Sequence, residues 1–142
     1  MAKHMSDQER REFLSAGTRT AKLAVTRLDG APHVAPIWFV LDGDDVVFTT
    51  GEDTVKGKSI RRDGRVAICV DDDRPPFSFV LLEGTATISR DPDDLLLWAT
   101  RLAARYMGPE QAQQYGRRNA VPTELLVRLT PTKTIAEANI AD

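Results

Sequence analysis

Residues 21–50 read AKLAVTRLDGAPHVAPIWFVLDGDDVVFTT, and this stretch decides the fold class. Apolar and polar side chains alternate over 21–27, the period of a half-buried strand. Asp29-Gly30 then marks a hairpin turn, since glycine accepts the positive φ such turns require. A second strand is expected over 33–41, a second turn at Asp42-Gly43-Asp44-Asp45 and a third strand over 46–50. Together they predict a three-stranded meander. Pro36 lies inside the second strand and removes a ladder donor, so that strand belongs at a sheet edge.

Upstream, residues 6–16 suggest a short helix that Ser6 caps, with Glu9 completing a capping box. Downstream, 53–62 reads as a helix, 65–70 as a central apolar strand and 77–89 as a long strand that Gly84 should interrupt with a bulge. Asp91-Pro92 opens a helix that runs to Met107 and stops at Gly108. A shorter helix over 109–118 and a sixth strand over 124–130 follow. Mainly antiparallel strands with helices to one side predict a small β-barrel within an α+β domain. Its core should come from Leu23, Val25, Ile37, Phe39, Val47, Val66, Ile68, Val70, Val80, Leu82 and Leu126.

The chain of 142 residues is the size of one domain, 1–142, with 1–7 expected as a flexible tail and Met5 as a candidate natural start. Lys and Arg total 19 against 21 Asp and Glu, a net charge of −2, which excludes a uniformly basic nucleic-acid coat. A single cysteine, Cys69, permits no internal disulfide and points to a reducing compartment, the cytoplasm. No apolar run approaches the ~20 residues of a membrane helix.

Hydrolytic and metal chemistry find little material. The only histidines are His4 and His33, there is no Gly-x-Ser-x-Gly elbow, and no Cys/His cluster has metal-ligand spacing. His33 reads as a solvated strand residue, Cys69 as a buried structural thiol, Asp71-Asp72-Asp73 as a solvated loop, and Tyr106 and Tyr115 as helix-packing residues. The informative segment is 51–65, GEDTVKGKSIRRDGR. Its last ten residues carry five cations, Lys56, Lys58, Arg61, Arg62 and Arg65, with one acid, Asp63, where the chain average gives between one and two cations. It follows a strand and opens a helix, and a helix N-terminus offers free N–H groups and partial positive charge to a phosphate. A solvated charged helix face fits the same residues equally well. Trp38 suits either a core position or an apolar wall for a flat ring, and Thr49-Thr50 ends the strand beside the cationic helix with two hydroxyls to donate.

Taken in order, Asp29-Gly30-Ala31-Pro32-His33, Pro36-Ile37-Trp38-Phe39, Val46-Val47-Phe48-Thr49-Thr50, Lys56, Arg61-Arg62-Asp63-Gly64-Arg65-Val66-Ala67-Ile68 and Glu83-Gly84-Thr85-Ala86 resemble the split β-barrel flavin reductases, which include pyridoxamine 5′-phosphate oxidase. The resemblance spans about residues 8–130. It implies a six-stranded split barrel, a homodimer and two cofactor sites in grooves at the subunit interface.

The FMN-binding oxidases of that family carry an arginine where this chain has Ala35, an Arg-Lys pair where it has Val55-Lys56, and often a glutamine where it has Phe79. Only the lysine is kept, and the residues that hold pyridoxal phosphate have no counterpart. Lys56 to Arg65, followed by an apolar strand, is most similar to the deazaflavin-dependent subgroup, which binds coenzyme F420. That cofactor's phosphodiester carries less charge than the FMN phosphate, and Glu52 and Asp53 before the helix disfavour a dianion. The resemblance thus implies a small-molecule oxidoreductase in which Ala35, Pro36, Ile37, Trp38, Thr49, Thr50 and Lys56 hold the cofactor. Lys58, Arg61 and Arg62 would meet its anionic tail, and Phe79, from a second subunit, would close the groove. FMN binding, and a non-catalytic protein that binds a cofactor or a tetrapyrrole, are the alternatives.

Overall fold

A computed structural model describes residues 1–142. Its strands are β1 (Lys3–His4), β2 (Ala21–Thr26), β3 (Pro32–Ile37), β4 (Val40–Asp42), β5 (Asp45–Gly51), β6 (Arg65–Asp72), β7 (Ser78–Ser89) and β8 (Glu124–Ala138). Its helices are α1 (Asp7–Ser15), α2 (Val55–Arg62), α3 (Pro92–Met107) and α4 (Ala112–Asn119), the last preceded by a 3-10 turn over Pro109–Gln111. The domain is α+β, with every strand pair antiparallel. No helix is long and apolar enough to cross a membrane.

The sheet has eight strands rather than six, in the order β3-β2-β6-β7-β8-β5-β4, with β1 added to β8. The expected meander does not form. The stretch read as one strand over 33–41 bends at Trp38-Phe39, so that β3 pairs with β2 at one end of the order and β4 pairs with β5 at the other. No ladder joins β3 to β4; the chain itself closes the barrel there. The edge position expected from Pro36 is the one β3 occupies.

The backbone at this seam is satisfied by side chains from the end of α3. Tyr106 Oη accepts from the Phe39 amide at 3.1 Å and donates to the Arg19 carbonyl at 2.9 Å. Arg105 donates to the carbonyls of Phe39, Leu14 and Gly17 at 2.7, 2.7 and 3.0 Å. Two of those acceptors lie at the C-terminal end of α1, where exposed carbonyls and the helix dipole favour a cation.

The capping box on α1 and the N-terminal Asp91-Pro92 of α3 stand as expected. All eleven expected core residues are buried. Nine join Leu14 of α1 and Ile60 of α2 inside the barrel, while Val47 and Leu126 face outward and pack under Leu95 and Trp98 of α3. β5 is therefore buried on both faces, with Val46 and Phe48 inward and Val47 outward.

The last strand runs past the expected stop at residue 130. Pro131 sits opposite Gly84, where the β7–β8 register shifts. A side chain at Gly84 would strike the Thr130 carbonyl, so the bulge needs glycine. Beyond it β8 continues to Ala138 and takes β1 on its other edge, with Lys3 opposite Ala138 and His4 opposite Glu137. Residues 3–4 are thus a paired strand, not a tail.

Candidate functional site

The β5–α2 junction forms the floor of a cavity of about 270 Å³. Thr54 caps α2: its hydroxyl accepts from the Gly57 amide at 3.0 Å, donates to the Gly51 carbonyl at 2.8 Å and lies 3.0 Å from the Thr50 hydroxyl. Gly57 lets the preceding turn lie directly on the helix, since a Cβ there would meet the Gly51 carbonyl and come within 3.2 Å of Glu52 Cα. The result is a tight turn in which Thr49, Thr50, Thr54 and Lys56 all face the cavity. The first turn of α2 contains no acidic residue.

Pro36, Ile37 and Trp38, the last residues before the seam, line the cavity as well. Trp38 is 39% exposed and stacks on Tyr106 with ring centroids 4.9 Å apart and planes 4° from parallel. The indole is therefore held on one side by the same tyrosine that ties the backbone. Ala99 and Leu102 of α3 add apolar surface.

Six of the expected cofactor residues are thus brought together: Pro36, Ile37, Trp38, Thr49, Thr50 and Lys56. Four are not. Ala35, Lys58 and Arg61 lie outside the cavity, and Phe79 lines a separate groove of about 530 Å³ with Lys22, Cys69, Phe77 and Ile140. The cationic segment is largely committed elsewhere. Arg61 donates to the Glu52 carbonyl at 3.3 Å, Arg62 to the Thr26 carbonyl, and Arg65 pairs with Asp63 at 2.7 Å. Lys56 is the one cation lining the cavity.

Sequence reasoning missed Glu124 and Asn119, both of which line the cavity. Glu124 opens β8, where it pairs with Gly51 in the ladder. Burial pushes its carboxyl above the usual range, against the opposing pull of a hydrogen bond to Thr49 and the charge of Lys56. Nothing in the local sequence marks it, because its place depends on the pairing of strands more than seventy residues apart. Glu52, by contrast, is paired with Arg90 at 2.6 Å, so the carboxylate that lines the cavity is Glu124 rather than Glu52.

The remaining expectations divide. His33 is half-exposed on the edge hairpin, 3.0 Å from Arg27 and outside the cavity. Tyr106 packs as expected. Cys69 is not buried: it is half-exposed in the second groove, where partial burial and the charge of Asp71 push its thiol above the usual range. Asp71 and Asp72 continue β6 rather than forming a loop, and Asp72 is bound by Arg74 at 3.0 Å and Arg19 at 3.2 Å.

Residues 6–136 match the model of the family described as pyridoxamine 5′-phosphate oxidase. No curated protein matches the chain. Among solved structures, a conserved hypothetical protein from Mycobacterium tuberculosis superposes with a TM-score of 0.85 at 28% identity, over 95% of this chain and 86% of that one. A structure titled F420 reductase gives a TM-score of 0.70 at 26% identity, over 87% of this chain and 94% of its own. A heme storage protein from Vibrio cholerae, at 17% identity and a TM-score of 0.72 over 92% and 93% of the two chains, shares the fold.

Proposed function

We propose, from the premise that this chain belongs to the pyridoxamine 5′-phosphate oxidase family, that it is an oxidoreductase using the deazaflavin coenzyme F420 to exchange hydride with a small organic acceptor. The observation that carries this reading is the charge set of the cavity: one cation, the Lys56 ammonium in the first turn of α2, with a braced indole lining the same space. A single cation suits a singly charged phosphodiester better than a phosphomonoester dianion. The 26% identity to a structure titled F420 reductase supports the same choice.

The residues present fit such a cofactor. Lys56 and the first turn of α2 would hold the phosphate, and Pro36, Ile37 and Trp38 would flank the ring. When bound, the deazaflavin supplies the hydride chemistry; the protein binds, orients and excludes water. Tyr106 contributes by keeping Trp38 in place. At about 270 Å³ the cavity lies below the usual range for a small-molecule site, ~300–1,000 Å³, so a single chain would cover only part of a cofactor. A homodimer that completes the groove is part of the proposal. Phe77 and Ile140, exposed around the second groove beside Phe79, offer apolar surface for it.

FMN finds no arginine at Ala35 or Val55, and heme finds no histidine in the cavity, since His33 lies outside it. Titration of the purified protein with F420, FMN and heme, followed by fluorescence quenching, tests the reading. F420 should bind tightest. Lys56→Ala should weaken it about tenfold or more, the loss of a charge-assisted hydrogen bond of ~1.5–3 kcal/mol. Equal dissociation constants for the two proteins would remove Lys56 from the site.

A further inference from the structure

Glu124 is the charged group of the cavity that cofactor binding, as described so far, leaves unused. It is half-buried at the start of β8, and no salt bridge engages it. It shares the cavity with Lys56, the one cation there. Of the two acids before α2, Glu52 is paired with Arg90 and Asp53 is exposed outside the cavity. The anion-binding end therefore presents one positive and one negative side chain.

We infer that Glu124 is a specificity-determining residue, which biases the cavity toward a singly charged phosphate ester and against a doubly charged one. The inference deepens the deazaflavin reading above and rests on it. Coulomb repulsion scales with the charge of the ligand, so a carboxylate beside the site costs a dianion twice what it costs a monoanion. Attraction to Lys56 scales the same way, and the two side chains largely cancel for either ligand. A phosphomonoester thus gains nothing from its extra charge while losing more hydration. Removing the negative charge of Glu124 leaves Lys56 uncompensated, and the dianion gains most.

The test compares wild type with Glu124→Gln by fluorescence titration at pH 8, where the FMN phosphate is fully dianionic. The ligands are F420, FMN and riboflavin, which has the flavin ring without the phosphate. Glu124→Gln should tighten FMN about tenfold, tighten F420 about threefold or less, and leave riboflavin unchanged. An equal change for FMN and F420, a parallel change for riboflavin, or no detectable FMN binding by the variant would overturn the inference. If wild type fails to bind F420 while Glu124→Gln still tightens FMN selectively, the deazaflavin reading falls and the role of Glu124 stands. Circular dichroism checks that the variant folds; Glu124→Ala, from which the same ratio is expected, replaces it if the glutamine protein does not.

Discussion

Replacing Tyr106 by Phe removes one oxygen atom and keeps the ring that stacks on Trp38. The oxygen accepts from the Phe39 amide and donates to the Arg19 carbonyl, at 3.1 and 2.9 Å. The amide lies where the chain bends between β3 and β4, the carbonyl just before β2, and the Phe39 side chain is fully buried. No ladder partner stands ready to replace the hydroxyl, because β3 and β4 do not pair. An amide left unsatisfied in such a place costs roughly 1–3 kcal/mol, so about 2 kcal/mol is expected. Unfolding entropy of roughly 2.1 cal/mol/K per residue gives this chain a slope of about 0.3 kcal/mol per degree near its midpoint. Tm should therefore fall by about 7 °C. Thermal melts followed by circular dichroism, run at one protein concentration because an associating protein melts in a concentration-dependent way, measure it. A fall of less than about 2 °C would refute the argument that the hydroxyl holds the seam.

Gly84→Ala should cost roughly 1–3 kcal/mol in urea unfolding, because the new Cβ meets the Thr130 carbonyl and comes within 3.0 Å of Pro131 Cα; an unchanged midpoint would mean the two long strands part without penalty. Asp72 is held at about 2, below its ordinary 3.8, mainly by the hydrogen bond from Arg74. A depressed carboxyl stabilises the fold above the unfolded value and loses that contribution as pH falls toward the folded one. Stability should accordingly drop between about pH 4 and pH 2, and Asp72→Asn should flatten that drop; parallel curves for the two proteins would exclude Asp72 as its source.

The parts of the fold legible in the sequence are those set by local chemistry. Asp29-Gly30 and Asp42-Gly43 gave both hairpins, Ser6 and Asp91-Pro92 gave two helix starts, and Gly84 marked the bulge. What pattern could not supply is which strands become neighbours. The meander failed because nothing in Pro36-Ile37-Trp38-Phe39 signals a bend; the bend is held by Tyr106 and Arg105, more than sixty residues later. The site divides the same way. Lys56, Thr49 and Thr50 follow from a strand that turns into a helix, whereas Glu124 enters through strand pairing. The arginines of α2 look free to meet a ligand because sequence shows charge and hides the backbone carbonyls that consume it.

The bend at Trp38-Phe39 has a mechanical corollary. Everywhere else, prying adjacent strands apart ruptures a row of main-chain hydrogen bonds. Between β3 and β4 there is no such row: an aromatic pair, a tyrosine hydroxyl and a guanidinium stand there beside the buried Ile37 and Phe39. The wall of the cavity thus coincides with the one line of this barrel that no main-chain ladder closes. A ligand set against Trp38 lies along that line, where its contacts are with side chains rather than with a row of paired amides and carbonyls.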